Sequence, residues 1–270
     1  MGATISVQTS FARAGDLSIA YEAGGAGDPA LVFIHGIFAD RSYFEFQQAH
    51  FTERRSVVAL DLRGHGESSA SPEVTVEDFA ADVIAVADEA GLASVVLCGH
   101  SMGGAVALQV ASTRPDLVRG IAMLDGAVLF PEPLRQAALA NLIPALATER
   151  WMDALRGYFN DRILDPQDPN ELTARVMAGL GRARPEFART FFSSVFASDY
   201  ADELKNATCP LLYIHAKAPS DLQRLRVLRP DAMVGQVVGS GHYLMLSVPD
   251  QVNTMLDHFV ELVIETGVGR

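Results

Sequence analysis

Short apolar runs recur along the chain at 31–34, 56–60, 95–98, 121–124, 211–214 and 233–238, and segments of helical spacing separate them. Runs of this length bounded by turn residues predict strands buried on both faces. Their alternation with helices predicts an α/β fold around a mostly parallel sheet. The helix after Thr75 is explicit: Phe79, Val83, Val86, Ala87 and Ala90 fall on one face, and Gly91 closes it. Nearer the start, alternation over 3–11 and 17–21, with Ala14-Gly15-Asp16 between, predicts a β-hairpin.

Between Asp125 and about Leu204 the alternation stops. The stretch reads as helices in succession, Pro133 to Leu146, Glu149 to Phe159, Asn170 to Leu180 and Pro185 to Phe196. It is too long to be a connection. The expected organisation is therefore a core begun by 1–126, an inserted helical cap over 127–204, and a core completed by 205–270. The cap carries Phe130, Leu134, Leu142, Trp151, Tyr158, Phe159, Met177, Phe187, Phe191, Phe192 and Phe196. Most of these should pack the cap onto itself and the core, and a minority should line an apolar pocket.

The chemistry concentrates at Gly99-His100-Ser101-Met102-Gly103-Gly104, directly behind the apolar run Ser94-Val95-Val96-Leu97-Cys98 and ahead of the helical pattern from Ala105. This is the G-x-S-x-G context, in which a serine sits on a strained strand-to-helix elbow with its hydroxyl outward and glycines relieve the crowding on either side. A helix-capping serine would explain a lone pentapeptide. Here the flanking strand and helix agree with the motif. Two further segments fit the same machinery: His35-Gly36-Ile37-Phe38 after the strand Ala30–Ile34, and Gly239-Ser240-Gly241-His242 after the last apolar run.

With these segments and Asp61-Leu62-Arg63-Gly64-His65-Gly66-Glu67-Ser68, the chain resembles the α/β-hydrolase superfamily over most of its length. The resemblance implies a mostly parallel eight-stranded sheet with helices on both faces and an inserted helical cap. It also implies a nucleophile at Ser101, a base at His242 and an acid that orients the base. Backbone amides of Ile37 and Met102 would form the oxyanion hole, with His35 supporting that loop and His100 the elbow. In the commoner form of the family the acid follows the seventh strand, where this chain has Pro219, with Asp221 two residues later at an apparent helix N-cap. Some branches, certain haloalkane dehalogenases among them, place the acid after strand six, where this chain has Asp125. Asp125 is the preferred acid and Asp221 the alternative. Arg63 and Glu67 read as surface or supporting contacts.

The implied activity is hydrolysis of esters or lactones of small to medium apolar acyl groups through an acyl-enzyme, with no cofactor. Hydrolysis of a C–C bond in diketone-like substrates is the alternative, and perhydrolysis or a hydrolase-fold ligand receptor lies further off. A serine at the elbow argues against dehalogenase or epoxide hydrolase chemistry, for which related enzymes use an aspartate there. None of the seven histidines falls in a metal-ligand spacing such as H-E-x-x-H, and no phosphate-binding or dinucleotide fingerprint occurs.

Composition narrows the partners. With 270 residues, 49% of them hydrophobic, the chain can bury a large core. A net charge of −12 argues against nucleic acid, which needs basic patches. Cys98 and Cys209 both sit at strand ends and read as free thiols. Met1–Val7 lacks the charged and apolar regions of a signal peptide, and no stretch reaches the length of a membrane span, so a soluble cytoplasmic protein acting on a small molecule is expected. A homodimer stays open.

Overall fold

The computed structural model describes residues 9–71, 74–217 and 220–266. Eight strands form one sheet: β1 (Thr9–Ala14), β2 (Leu17–Gly24), β3 (Ala30–Ile34), β4 (Val57–Leu60), β5 (Val95–His100), β6 (Val118–Leu124), β7 (Leu211–His215) and β8 (Met233–Gln236), in the order β1-β2-β4-β3-β5-β6-β7-β8. β2 runs antiparallel to β1 and β4, and all other pairs are parallel. The opening hairpin turns at Gly15, whose φ of 62° suits glycine. Its predicted residues 3–8 lie outside the described residues, as do Met1–Val7. β6 begins three residues before the predicted run, and β8 ends two before it, because Val237 and Val238 already belong to the following loop. β3, β4 and β5 are buried throughout, the pattern of strands covered on both faces.

The helices are α1 (Glu45–Thr52), α2 (Val76–Glu89), α3 (Met102–Thr113), α4 (Glu132–Ala137), α5 (Ile143–Leu146), α6 (Trp151–Tyr158), α7 (Asn170–Leu180), α8 (Pro185–Ala197), α9 (Ala201–Asn206), α10 (Leu222–Leu228), α11 (Leu244–Ser247) and α12 (Pro249–Thr266). α2 starts in a capping box: the Thr75 hydroxyl accepts from the Asp78 amide, and the Asp78 carboxylate accepts from the Thr75 amide. Six of the helices, α4 to α9, fill the interval between β6 and β7. π-helical turns at Ala138–Leu142 and Phe159–Ile163 join α4 to α5 and extend α6. Apolar side chains of this segment, Leu155, Leu180, Phe196 and Leu204 among them, are continuous with the core of the sheet. Cys98 and Cys209 are both buried and unbridged. No helix among the described residues is long and apolar enough to cross a membrane.

Candidate active site

The parallel strands end on one edge of the sheet, and the loops there carry the predicted residues. β5 ends at His100, and Ser101 follows with φ 51° and ψ −116° immediately before α3, which begins at Met102. Its amide donates to the Leu124 carbonyl at 3.1 Å, while its carbonyl accepts from Gly104 and Ala127. The glycines are needed for close approach: a Cβ on Gly99 would overlap the Gly103 backbone, and one on Gly103 would overlap the Ile34 carbonyl. Close backbone packing thus demands glycine at these two positions.

Asp125 directly follows β6 with φ 49°, a left-handed conformation that Asp tolerates better than most residues. Its amide donates to the Ile214 carbonyl at 2.7 Å. Its side chain is fully buried, and the carboxylate accepts at Oδ1 from the Ala216 amide, 3.3 Å away, and at Oδ2 from His242 Nδ1, 2.8 Å away. His242, on the loop after β8, is itself buried, and both residues share a cavity with Ser101. Asp221 is placed differently. It caps α10, accepting from the Arg224 amide at 2.9 Å, and its amide bonds to the Leu129 carbonyl. Pro219 lies outside the described residues.

His35 is fully buried and wired to two loops. The Leu62 amide donates to Nε2 at 3.0 Å, so Nδ1 carries the proton and donates to the Gly36 carbonyl at 2.7 Å. Burial pulls its pKa down to about 4, which keeps the ring neutral. In a trans peptide the carbonyl and the next N–H point oppositely, so anchoring the Gly36 carbonyl on His35 turns the Ile37 amide the other way. Gly36 lies against the elbow: a Cβ there would sit 3.1 Å from Ser101 Cβ. His100 donates from Nε2 to the His242 carbonyl at 3.0 Å, with its ring 4.6 Å from the His242 ring, and burial holds its pKa well below the usual range.

The supporting loop after β4 is held by Asp61, fully buried. It accepts from the Arg41 amide at 2.7 Å, the Glu67 amide at 2.9 Å and the Arg41 guanidinium. A side chain on Gly66, at φ 49°, would overlap that carboxylate. Arg63 reaches α2, pairing with Asp82 and Asp78, while Glu67 pairs with Arg41. Tyr213 was not foreseen: its hydroxyl donates to the Gly126 carbonyl at 2.7 Å and pairs with Ser220, bracing the turn beside Asp125.

The cavity over Ser101 has a volume of about 210 Å³. Of the large apolar side chains singled out in the helical segment, Phe130, Leu134, Tyr158, Phe159, Phe191, Phe192 and Phe196 line it; Leu142, Trp151, Met177 and Phe187 do not. Phe187 instead packs edge-on to His65 behind the Gly36–Ala39 loop. Among the described residues no cluster of His, Cys, Asp or Glu could hold a metal ion.

Comparison with known proteins agrees with this architecture. The model of the alpha/beta hydrolase family matches residues 31–255. A Haemophilus influenzae protein classed as an esterase/lipase is 39% identical over 241 residues, covering 86% of this chain and 83% of the relative. The (E)-2-((N-methylformamido)methylene)succinate hydrolase of Acinetobacter baylyi is 35% identical over 252 residues, covering 88% and 92%. Among solved structures, the N-acyl homoserine lactone degrading enzyme Est816 superposes with a TM-score of 0.81 at 23% identity, covering 93% of this chain and all of that one. The chain belongs to the α/β-hydrolase family, among esterase/lipase-like relatives.

Proposed function

We propose that this protein is a serine hydrolase of small to medium acyl esters or lactones, working through an acyl-enzyme. The observation that carries this reading is the elbow itself. Ser101 is held in a left-handed conformation at the end of β5, and it opens into the same apolar cavity as an imidazole whose Nδ1 is bonded at 2.8 Å to a buried carboxylate.

In this mechanism His242 takes the proton of Ser101 at Nε2 as the hydroxyl attacks the carbonyl carbon, and later returns it to the leaving alcohol. Asp125, bonded at Nδ1–H, fixes the tautomer that leaves Nε2 free to accept and stabilises the imidazolium. The oxyanion forms between the amides of Ile37 and Met102. Met102 opens α3, and first-turn amides have no intrahelical acceptor, so the helix N-terminus presents both a donor and a favourable dipole. Such donors contribute roughly 2.7–4 kcal/mol each in the transition state. Water then repeats the sequence on the acyl-enzyme with the same base. The helical segment acts as a cap, placing aromatic side chains over the reacting groups to bind the acyl chain and exclude bulk water.

The relatives' named substrates, a lactone and an amidomethylene succinate, are compatible with this range. The test is a panel of p-nitrophenyl esters of increasing chain length beside lactone and diketone panels, run with wild-type and Ser101→Ala protein. Ester or lactone turnover that disappears in the variant, with the thermal transition retained, is the expected result. Turnover that survives in Ser101→Ala, or turnover confined to diketones, overturns the reading.

A further inference from the structure

The polar side chains on the cavity wall, apart from the reacting three, are His100, Tyr158, Asp161, Arg162, Ser220 and Tyr243. His100 is committed to the His242 carbonyl and Ser220 to Tyr213. Tyr243 is buried against the Tyr43 and His100 rings. What is left comes from one stretch of α6 and its π-helical extension: a phenol, a carboxylate and a guanidinium. Tyr158 is half-buried, Asp161 and Arg162 stand exposed at the cavity's rim, and no side chain of the three makes a hydrogen bond or ion pair among the described residues. The Tyr158 ring is wedged edge-on against Phe159, Phe192 and Phe196, so its hydroxyl is held in place without a partner.

Positions 158, 161 and 162 are three and four residues apart along one continuous helical run, spacings that share a helix face, and all three side chains line the cavity. The other π-helical turn, at Ala138–Leu142, contributes nothing to the cavity wall. Burial pushes the Tyr158 phenol up to about 12, so it stays a neutral donor at any working pH. Two donors, one of them a planar fork suited to carboxylate oxygens, therefore stand beside the phenylalanines and aliphatic side chains that make most of the cavity wall. The whole-molecule charge of −12 repels anionic substrates, which makes a cation at this position the local feature that would admit them.

We propose that Tyr158 and Arg162 form an anion-recognising subsite, and that preferred substrates are esters or lactones whose acyl chain ends in a carboxylate. Resting on the ester-hydrolase reading above, this makes Arg162 a specificity-determining residue and Asp161 its counterweight. An acyl chain runs past the phenylalanines, and its terminal carboxylate is paired by the guanidinium and the phenol.

The matched probes are p-nitrophenyl pentanoate and mono-p-nitrophenyl glutarate, which differ only in a terminal methyl against a carboxylate. The quantity read is the ratio of kcat/KM for the glutarate to that for the pentanoate. Arg162→Gln should lower it at least tenfold, Arg162→Lys should restore part of it, Tyr158→Phe should lower it severalfold, and Asp161→Asn should raise it. The change should fall mainly on KM for the glutarate, and it should shrink in high salt. In parallel, calorimetric binding of the glutarate half-ester to Ser101→Ala should weaken at least tenfold when Arg162→Gln is added. A ratio and an affinity that ignore Arg162→Gln overturn the proposal and leave the hydrolase reading standing. Affinity that depends on Arg162 in a protein that turns over neither ester sustains the subsite and overturns the hydrolase reading.

Discussion

Replacing Asp125 with asparagine isolates the role of its carboxylate. The residue sits at φ 49°, where asparagine is as well tolerated as aspartate, whereas alanine would add backbone strain. Asparagine can keep the Ala216 amide bond by presenting its oxygen where Oδ1 now stands. Its NH₂ then occupies the position of Oδ2, 2.8 Å from His242 Nδ1, and can only donate. Nδ1 is thereby forced to accept, the ring proton moves to Nε2, and the base can no longer take the proton of Ser101. The imidazolium also loses its counter-charge. The expected loss in kcat is about a thousand- to ten-thousand-fold, or about 4 to 5.5 kcal/mol of transition-state stabilisation, with the thermal transition nearly unchanged because no buried bond is left unmade. Asp221→Asn is the matched control, since asparagine caps a helix as well as aspartate does. Both are assayed on p-nitrophenyl butyrate at pH 7 to 8. A severe loss in Asp221→Asn with a mild one in Asp125→Asn would refute the assignment, as would mild losses in both.

His242→Ala should lose activity to about the same degree as Ser101→Ala, and the double variant should be no worse than either, because nucleophile and base act as one unit; additive losses would contradict the shared role. Stability should depend on pH through the buried histidines. His35 and His65 are held neutral by burial with pKa values near 4 and 3, below the unfolded value near 6.5, so the unfolded chain takes up their protons first. Their contribution is complete above pH 6.5 and is lost as the pH falls toward the folded values. Urea midpoints should therefore hold steady from pH 8 to 7 and drop between pH 6.5 and 5, where carboxylates are still ionised, and a flat profile across that window would contradict the assignment.

The strands were readable because their burial on both faces leaves continuous apolar runs, and the elbow was readable because a backbone-to-backbone approach at Gly99 and Gly103 excludes every other residue. Pro219 at the commoner acid position already favours Asp125 over Asp221 in the sequence, but both follow strands on the same edge, and the contact itself exists only in the fold, where Asp125 bonds His242 while Asp221 turns back to cap α10. The helical segment shows the same limit more sharply. Its helices are legible one by one, but Trp151 and Phe187 carry the same apolar signal as Phe191 and Phe192, which alone of the four line the cavity. Which face of a helix looks into the cavity depends on how the helix docks, and docking leaves no trace in local spacing. The π-helical turns are invisible for a related reason, since inserting one residue into a turn changes no composition.

Three residues other than glycine have positive φ among the described residues, and all three stand at the carboxyl ends of the central strands: Phe38 after β3, Ser101 after β5 and Asp125 after β6. Conformations of this kind cost on the order of 1–3 kcal/mol each and persist only where the surroundings over-determine them. Those surroundings are identifiable. The amide of Ser101 is tied to the last carbonyl of β6, and the amide of Asp125 to the Ile214 carbonyl in β7, so each strand end is locked by its neighbour one rung past the regular ladder. Phe38 is held from the other side: Gly179 of α7 lies so close to its carbonyl oxygen that a side chain there would overlap it. The sheet thus holds the serine and the carboxylate, while the helical segment presses on the loop that carries the Ile37 amide. A displacement of α7 would release Phe38 before it disturbed Ser101 or Asp125, which makes the loop proposed to supply the oxyanion amide the part of the site most directly dependent on how the helical segment is seated.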